Sequence, residues 1–268
     1  MARLNWLEEA GRNSCNINLI KFGVMSHALL IGFAIRLPIG LIAWLHSLLI
    51  VAASYLLGSI PTGYLLVRFF RKQDIRTLGS GNIGATNVIR SGAKGLGAAT
   101  FLLDVLKGAA AVWVGGWLAG AIFPPIPLHN AQALAALCAV LGHMYPIWLG
   151  LRGGKGVATA FGVFTVIAPW AALGSICVFI VVFALSRYVS LGSILGAIAF
   201  PFFAWFTAPY GTPWTRGYVI MTIVGLVAAM IVLKHRQNIQ RLLAGTEYRF
   251  GSAKKAASES PDAAKETT

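Results

Sequence analysis

Three polar stretches in an otherwise apolar chain carry residue types suited to holding phosphate. The first is Arg76–Arg90, RTLGSGNIGATNVIR. Gly79, Gly81 and Gly84 let the backbone reach positive φ and approach a ligand closely. Consecutive N–H groups in such a turn form an anion-binding nest. Ser80, Asn82, Thr86 and Asn87 add side-chain donors. Arg76 and Arg90 add fixed charge, and a guanidinium grips phosphate through two parallel bonds. A solvated loop on the positive side of a membrane would have the same composition, so this stretch alone fits both readings.

The second stretch is GHMYP (Gly142–Pro146) followed by RGGKGVAT (Arg152–Thr159). Gly153, Gly154 and Gly156 around Lys155, leading into an apolar helix, form a phosphate cradle with one lysine. The GxxxxGK[ST] spacing of an ATPase loop is absent. A flexible turn with a topogenic lysine is the alternative. His143, at the end of an apolar run, reads as a packed and hydrogen-bonded structural residue. The third stretch is KHRQNIQR (Lys234–Arg241), then Gly245-Thr246-Glu247. His235 and Asn238 stand three apart and share a helix face. An interfacial basic helix would also fit.

Glu247 and Asp104 are the only carboxylates between residues 75 and 258. Asp104 and Lys107 lie one turn apart within an apolar run, so they either pair for helix packing or brace the first stretch from behind. No acidic or Cys/His metal site and no Ser/His/Asp arrangement occurs. Cys15, Cys138 and Cys177 are far apart and lack a CxxC, so they read as small buried core residues rather than as a disulfide framework or zinc site. Neither metal nor cofactor is expected.

These residues must be positioned by membrane helices. Of 268 residues, 57% are hydrophobic and 11% charged, under half the charge of an ordinary soluble domain. Several apolar runs approach the ~20 residues that cross a bilayer. Seven spans are predicted: Ile39–Leu66, Leu96–Ala119, Ala131–Leu149, Val157–Ala168, Ala171–Leu185, Leu191–Thr207 and Tyr218–Leu233. The fourth and fifth could be one helix broken at Pro169. Loop charge decides for seven. Arg68 to Lys94, Arg152 with Lys155, Arg187 and the tail from Lys234 are basic, while the intervening loops carry only Arg216. Basic loops remain inside, so all three polar stretches and the C-terminus face the cytoplasm.

The net charge of +14 follows the same logic. It sets topology and meets anionic headgroups, so nucleic acid is not an expected partner. The expected fold class is an all-α polytopic membrane protein with about seven transmembrane helices and cytoplasmic catalytic loops. Residues 1–38 form an N-terminal extension, read as interfacial or as a start upstream of Met25. Residues 39–250 form the membrane domain, and residues 251–268 a disordered tail.

The sequence resembles the bacterial membrane acyl-phosphate:glycerol-3-phosphate acyltransferases, the PlsY family, over about residues 40–250. The resemblance rests on GSIPTGYL with DIRTLGSGNIGATNVIR, on GHMYPIWLGLRGGKGVAT and on HRQNIQRLLAGTE, in that order. It implies transfer of an acyl chain from acyl phosphate to the 1-hydroxyl of sn-glycerol 3-phosphate, the first acylation of phospholipid synthesis. It implies Ser80, Asn82 and Arg90 as glycerol 3-phosphate ligands, and Gly153, Gly154, Lys155 and Gly156 as the acyl-phosphate loop. His235, Asn238 and Lys155 take catalytic roles, and Arg76, Asn87, Asp104, His143 and Glu247 supporting ones. The expected partners are the two substrates, the bilayer of a bacterial inner membrane and the soluble enzyme that makes acyl phosphate; the sequence does not fix the oligomeric state, and a monomer is compatible with it. The residues alone leave one rival, a transporter of small organic phosphates, which would place charge near the bilayer midplane and often shows repeats. A structural scaffold would leave the three glycine-rich stretches without a role.

Overall fold

A computed structural model of the chain describes residues 39–121, 126–207 and 218–251. The N-terminal extension, Cys15, part of the loop before Leu128, the loop holding Arg216 and the tail after Gly251 lie outside the described residues. Every regular element among those residues is helical. In chain order these are α1 (Ile39–Ser59), α2 (Thr62–Arg71), α3 (Ala85–Arg90), α4 (Lys94–Ala121) and α5 (Leu128–Met144). They continue with α6 (Val157–Ile167), α7 (Pro169–Ser186), α8 (Val189–Thr207), α9 (Tyr218–Lys234) and α10 (Arg236–Leu243).

Five helical stretches are long and apolar enough to cross a bilayer, and α9 with α10, bent by 53°, makes a sixth candidate. The remaining expected span corresponds to α6, which has 11 residues. That is about 16 Å at 1.5 Å per residue, roughly half the ~30 Å hydrocarbon thickness. The outer surface is apolar: Trp44, Trp113, Trp117, Leu185 and Trp205 are all well over half exposed. A soluble monomer does not display so much contiguous apolar surface; lipid tails accept it. Cys177, expected in the core, faces this exterior, because α7 buries only one narrow face.

Prolines set the helix breaks. The first expected span ends at Ser59 rather than Leu66, because Pro61 pushes Ile60 out of helical conformation. α5 stops before Pro146. Ala168, at φ −143°, separates α6 from α7, and Pro169 opens α7.

Small residues allow close helix approach, the usual device where apolar contact alone gives no preference over lipid. A Cβ at Gly58 would strike the Ala139 backbone, and one at Gly142 the Tyr55 carbonyl, so α1 and α5 meet backbone to backbone. Gly108 and Gly162 do the same between α4 and α6. The main core joins α4, α5, α6, α7, α8 and α9. A separate small core of Val67, Ile75, Ile83, Val88 and Leu149 sits beneath the first polar stretch. Thus that loop has its own hydrophobic footing.

Candidate active site

The α4/α5, α6/α7 and α8/α9 pairs each leave one face and return to it. Their polar ends meet there around one cavity of about 170 Å³. Ser80, Asn82, Asn87, Arg90, Asp104, His143, Lys155, Gly156, His235, Asn238 and Glu247 all line it. Three stretches, reaching from Ser80 to Glu247 in the chain, thereby form one site.

The first stretch is held by local bonds. Gly79 and Gly81 adopt φ of +57° and +70°, a region that costs other residues roughly 1–2 kcal/mol. A Cβ at Gly79 would also strike the Asn87 amide oxygen. Asn87 is the loop's internal staple. Its Oδ1 accepts from the Ser80 N–H at 2.7 Å, and its Nδ2 donates to the carbonyls of Ile75, Leu78 and Asn82. Asn82 Oδ1 accepts from the Gly84 N–H at 2.8 Å and so fixes the entry to α3. Arg90 stands over the Tyr248 ring at 4.2 Å, and its buried Nε has no hydrogen-bond partner. Burial lowers the Arg90 pKa, and Glu247 opposes that shift. Arg76 lies outside the cavity. It forms a two-pronged ion pair with Asp74 (2.6 and 3.0 Å) and stacks on Tyr64, so it anchors the loop.

The glycine loop departs from the expected cradle. Gly153 and Gly154 do not line the cavity, and their N–H groups donate to the carbonyls of Met144 and His143. The last turn of α5 has carbonyls without helical partners, and this loop satisfies them. A Cβ at Gly154 would run into the His143 ring. The backbone facing the cavity lies just beyond, at Gly156, Val157 and Ala158, where the first-turn N–H groups of α6 have no intrahelical partner.

Behind this loop lies a buried polar knot. Asp104 Oδ1 accepts from Thr62 Oγ1 at 2.6 Å and pairs with Lys107 Nζ at 2.8 Å. Lys107 also donates to the Ile60 carbonyl at the Pro61 break, which accepts from the Thr62 N–H as well. His143 Nδ1 lies 3.4 Å from Asp104 Oδ1. The pair therefore serves packing and also braces the broken first span and the second loop; it is not a free charge at the bilayer midplane.

The third stretch completes the site through Glu247. Asn238 Nδ2 donates to Glu247 Oε1 at 2.7 Å, Ser190 Oγ to the same oxygen at 2.9 Å, and Arg241 Nε to Oε2 at 2.7 Å. Burial opposes ionisation of Glu247, but these three donors outweigh it and hold its pKa below the usual value. Asn238 Oδ1 accepts from Lys155 Nζ at 2.6 Å. Burial pushes Lys155 down to about 8; Glu247 works against this, while Arg241 and Arg90 add to it. His235 sits just past the end of α9, where Nδ1 donates to the Ile231 carbonyl at 2.8 Å and Nε2 is left as an acceptor. Burial first, and Lys155 next, push His235 down to about 4.

Sequence reasoning misses Arg241, Ser190, Ser193 and Tyr248, which also line the cavity. Arg241 follows Asn238 by three residues, a helical spacing that could have found it. Ser190 and Ser193 are polar positions one turn apart in an apolar span. Tyr248 carries no sequence signal.

Against the polar cavity opens an apolar groove of about 120 Å³ bordered by α4, α6, α7, α8 and α9. Phe101, Val157, Phe179 and Ser193 belong to both walls. The site thus joins a cationic end to an apolar one, the shape of a phosphorylated lipid.

The model of the glycerol-3-phosphate acyltransferase family matches residues 48–245. A glycerol-3-phosphate acyltransferase of Thermosynechococcus vestitus is 47% identical over 208 residues, covering 76% of this chain and 95% of the relative. One from Anaeromyxobacter sp. is 45% identical over 206 residues, covering 76% and 96%. Two crystal structures of PlsY, an integral membrane glycerol 3-phosphate acyltransferase, are similar. The glycerol 3-phosphate form has a TM-score of 0.67 at 40% identity and covers 76% of this chain and 96% of that one. The lysophosphatidic acid form has a TM-score of 0.64 at 39% identity, covering 76% and 95%. The helical membrane architecture, the cation-lined cavity and these relatives agree, and the chain belongs to the glycerol-3-phosphate acyltransferase family.

Proposed function

We propose that this acyltransferase takes its acyl chain from acyl phosphate and transfers it to the 1-hydroxyl of sn-glycerol 3-phosphate. The products are 1-acylglycerol 3-phosphate and inorganic phosphate, and the step is the first acylation of phospholipid synthesis. The observation that carries this reading is the convergence of Arg90, Lys155 and Arg241 on one cavity that continues into an apolar groove. Two phosphates brought side by side repel, and that concentration of cations offsets the repulsion.

Ser80, Asn82 and Arg90 hold the phosphate of glycerol 3-phosphate; Arg90 is suited to it by its unengaged Nε. Lys155 and the first turn of α6 hold the acyl phosphate, with Gly153 and Gly154 bracing that turn from behind. Asn238 positions Lys155, and Glu247 positions Asn238. The 1-hydroxyl oxygen attacks the acyl carbon, the carbon–oxygen bond to phosphate breaks, and phosphate departs with that electron pair. His235 Nε2 accepts the hydroxyl's hydrogen bond and orients it. Burial pushes the ring's pKa down, which favours the departing phosphate over His235 as the final acceptor of the proton.

The loop charges support a site and a C-terminus on the cytoplasmic side of a bacterial inner membrane. There the site is within reach of soluble glycerol 3-phosphate and of the enzyme that makes acyl phosphate. Purified protein in lipid should release phosphate from palmitoyl phosphate only when glycerol 3-phosphate is present. Transfer from acyl-CoA but not from palmitoyl phosphate would overturn the donor assignment.

A further inference from the structure

The apolar groove has a definite depth. On α6 its lining runs from Val157, shared with the polar cavity, through Ala160 and Phe161 to Phe164. On α8 it runs from Ser193, also shared, through Gly196 and Ala197 to Phe200. Both paths advance seven residues, or roughly 10 Å at 1.5 Å per residue. The other walls end at the same level. Ala172 lies seven residues from the shared Phe179 on α7, and Val227 eight residues before His235 at the end of α9.

At that level Phe164 and Phe200 stack with ring centroids 4.0 Å apart and 26° between planes. Both are almost fully buried, and beneath them the core closes with Ala171, Ala204 and Val224. The groove therefore has an aromatic floor, about two thirds of the way to the ~15 Å that marks half the hydrocarbon thickness.

We propose that the stacked Phe164–Phe200 pair is the gauge that sets which acyl-chain lengths this protein transfers best. This rests on the acyl-transfer reading above. A chain whose end reaches the floor fills the groove and packs against the rings, whereas a shorter one leaves it part-filled; the preference is one of fit, because lipid is as apolar as the groove. A longer chain gains nothing more inside and must leave the groove between helices toward lipid. The rings, the widest side chains at that depth, decide where the gain stops.

The test is kcat/KM for a series of acyl phosphates from hexanoyl to stearoyl, with the full chain in lipid. Phe200→Leu removes the stack with the smaller loss of volume, and Phe200→Ala opens the floor fully. Both should move the preferred length upward, Phe200→Ala further than Phe200→Leu. Ala197→Leu, one turn above the floor, should move it downward. The KM for glycerol 3-phosphate should stay unchanged in all three. If Phe200→Ala does not fold, Ala197→Leu and Phe200→Leu still decide the matter. An unchanged length profile in active variants overturns the gauge and leaves acyl transfer standing. Failure of the unmodified protein to use any acyl phosphate overturns the donor assignment instead, and the gauge with it.

Discussion

The two glycine-rich loops look alike in sequence and are built on opposite plans. The loop at Gly79–Gly84 is held mainly by partners within about a dozen residues: Asn87 staples it, and Ile75, Ile83 and Val88 seat it, with Leu149 the distant member of that core. Gly79 and Gly81 are needed for backbone dihedrals, whereas Gly84, at φ −78°, is not. The loop at Gly153–Gly156 is held from afar. His143 fills the space that a side chain at Gly154 would need, and Lys155 reaches an asparagine 83 residues away. Its first two glycines are needed for room. A local loop can fold its ligand donors by itself, whereas the second has no shape until α5, α6 and α9 have packed.

This contrast can be broken in order of effect. Lys155→Ala removes the only charge that the second loop brings to the cavity. Loss of a preorganised group of this kind costs about 10²–10³-fold in kcat, with folding intact because no other charge is left buried without a partner. Full activity in this variant would refute the site assignment while leaving the family membership untouched.

Gly154→Ala should come next. The added methyl displaces His143 and with it the loop, raising KM for acyl phosphate by roughly 10- to 100-fold, as small misplacements of a positioned group do. KM for glycerol 3-phosphate should hold. His143→Ala should restore part of the loss by making room, so the double-mutant cycle is strongly non-additive. Additive effects would mean that the glycine's role is not steric.

Asn87→Ala should act on the other substrate. It removes the four hydrogen bonds of the staple, each worth about 1 kcal/mol net. The loop then orders only on binding, and KM for glycerol 3-phosphate rises by about tenfold or more while that for acyl phosphate stays constant. If both rise together, the loops are coupled and the local plan is wrong.

Acidity gives a smaller graded effect. On the proposed function Lys155 binds phosphate when protonated, and its pKa is pushed down to about 8. kcat/KM reports the free enzyme, so it should fall as pH rises through that value. Lys155→Arg, charged throughout, should lack this limb even if it is slower. Arg76→Ala should matter least, changing kcat/KM by about twofold or less, because its ion pair with Asp74 is exposed. A large loss would mean that Arg76 enters the cavity with substrate.

Much of this plan is legible in the order of residues. The apolar runs announce membrane helices, because only long helices satisfy their own backbone in lipid. Alternating loop charge brings the three polar stretches to one side, and all three do line one cavity. Helix breaks are legible only in part. Pro169 marks one plainly, but Pro61 lies inside an apolar run that reads as continuous, and its interruption turns out the Ile60 carbonyl to which Lys107 and the Thr62 N–H both donate. Ser190, Tyr248 and the aromatic floor stay hidden because nothing local marks a residue that matters through a neighbour distant in sequence.

The sequence by itself determined the helical membrane architecture, the polar stretches that supply the cavity and the local shape of the first loop. These follow from hydropathy, from charge and from dihedrals that only glycine adopts at low cost. Tertiary structure alone decided the rest. It set Gly153 and Gly154 behind the cavity with their N–H groups on α5 carbonyls, made Glu247 the hub through Asn238, Ser190 and Arg241, and lowered the pKa values of Lys155 and His235 by burial. Hydrogen-bond partners, close approach and desolvation are properties of what packs against a residue, and a chain read in order does not contain its neighbours in space.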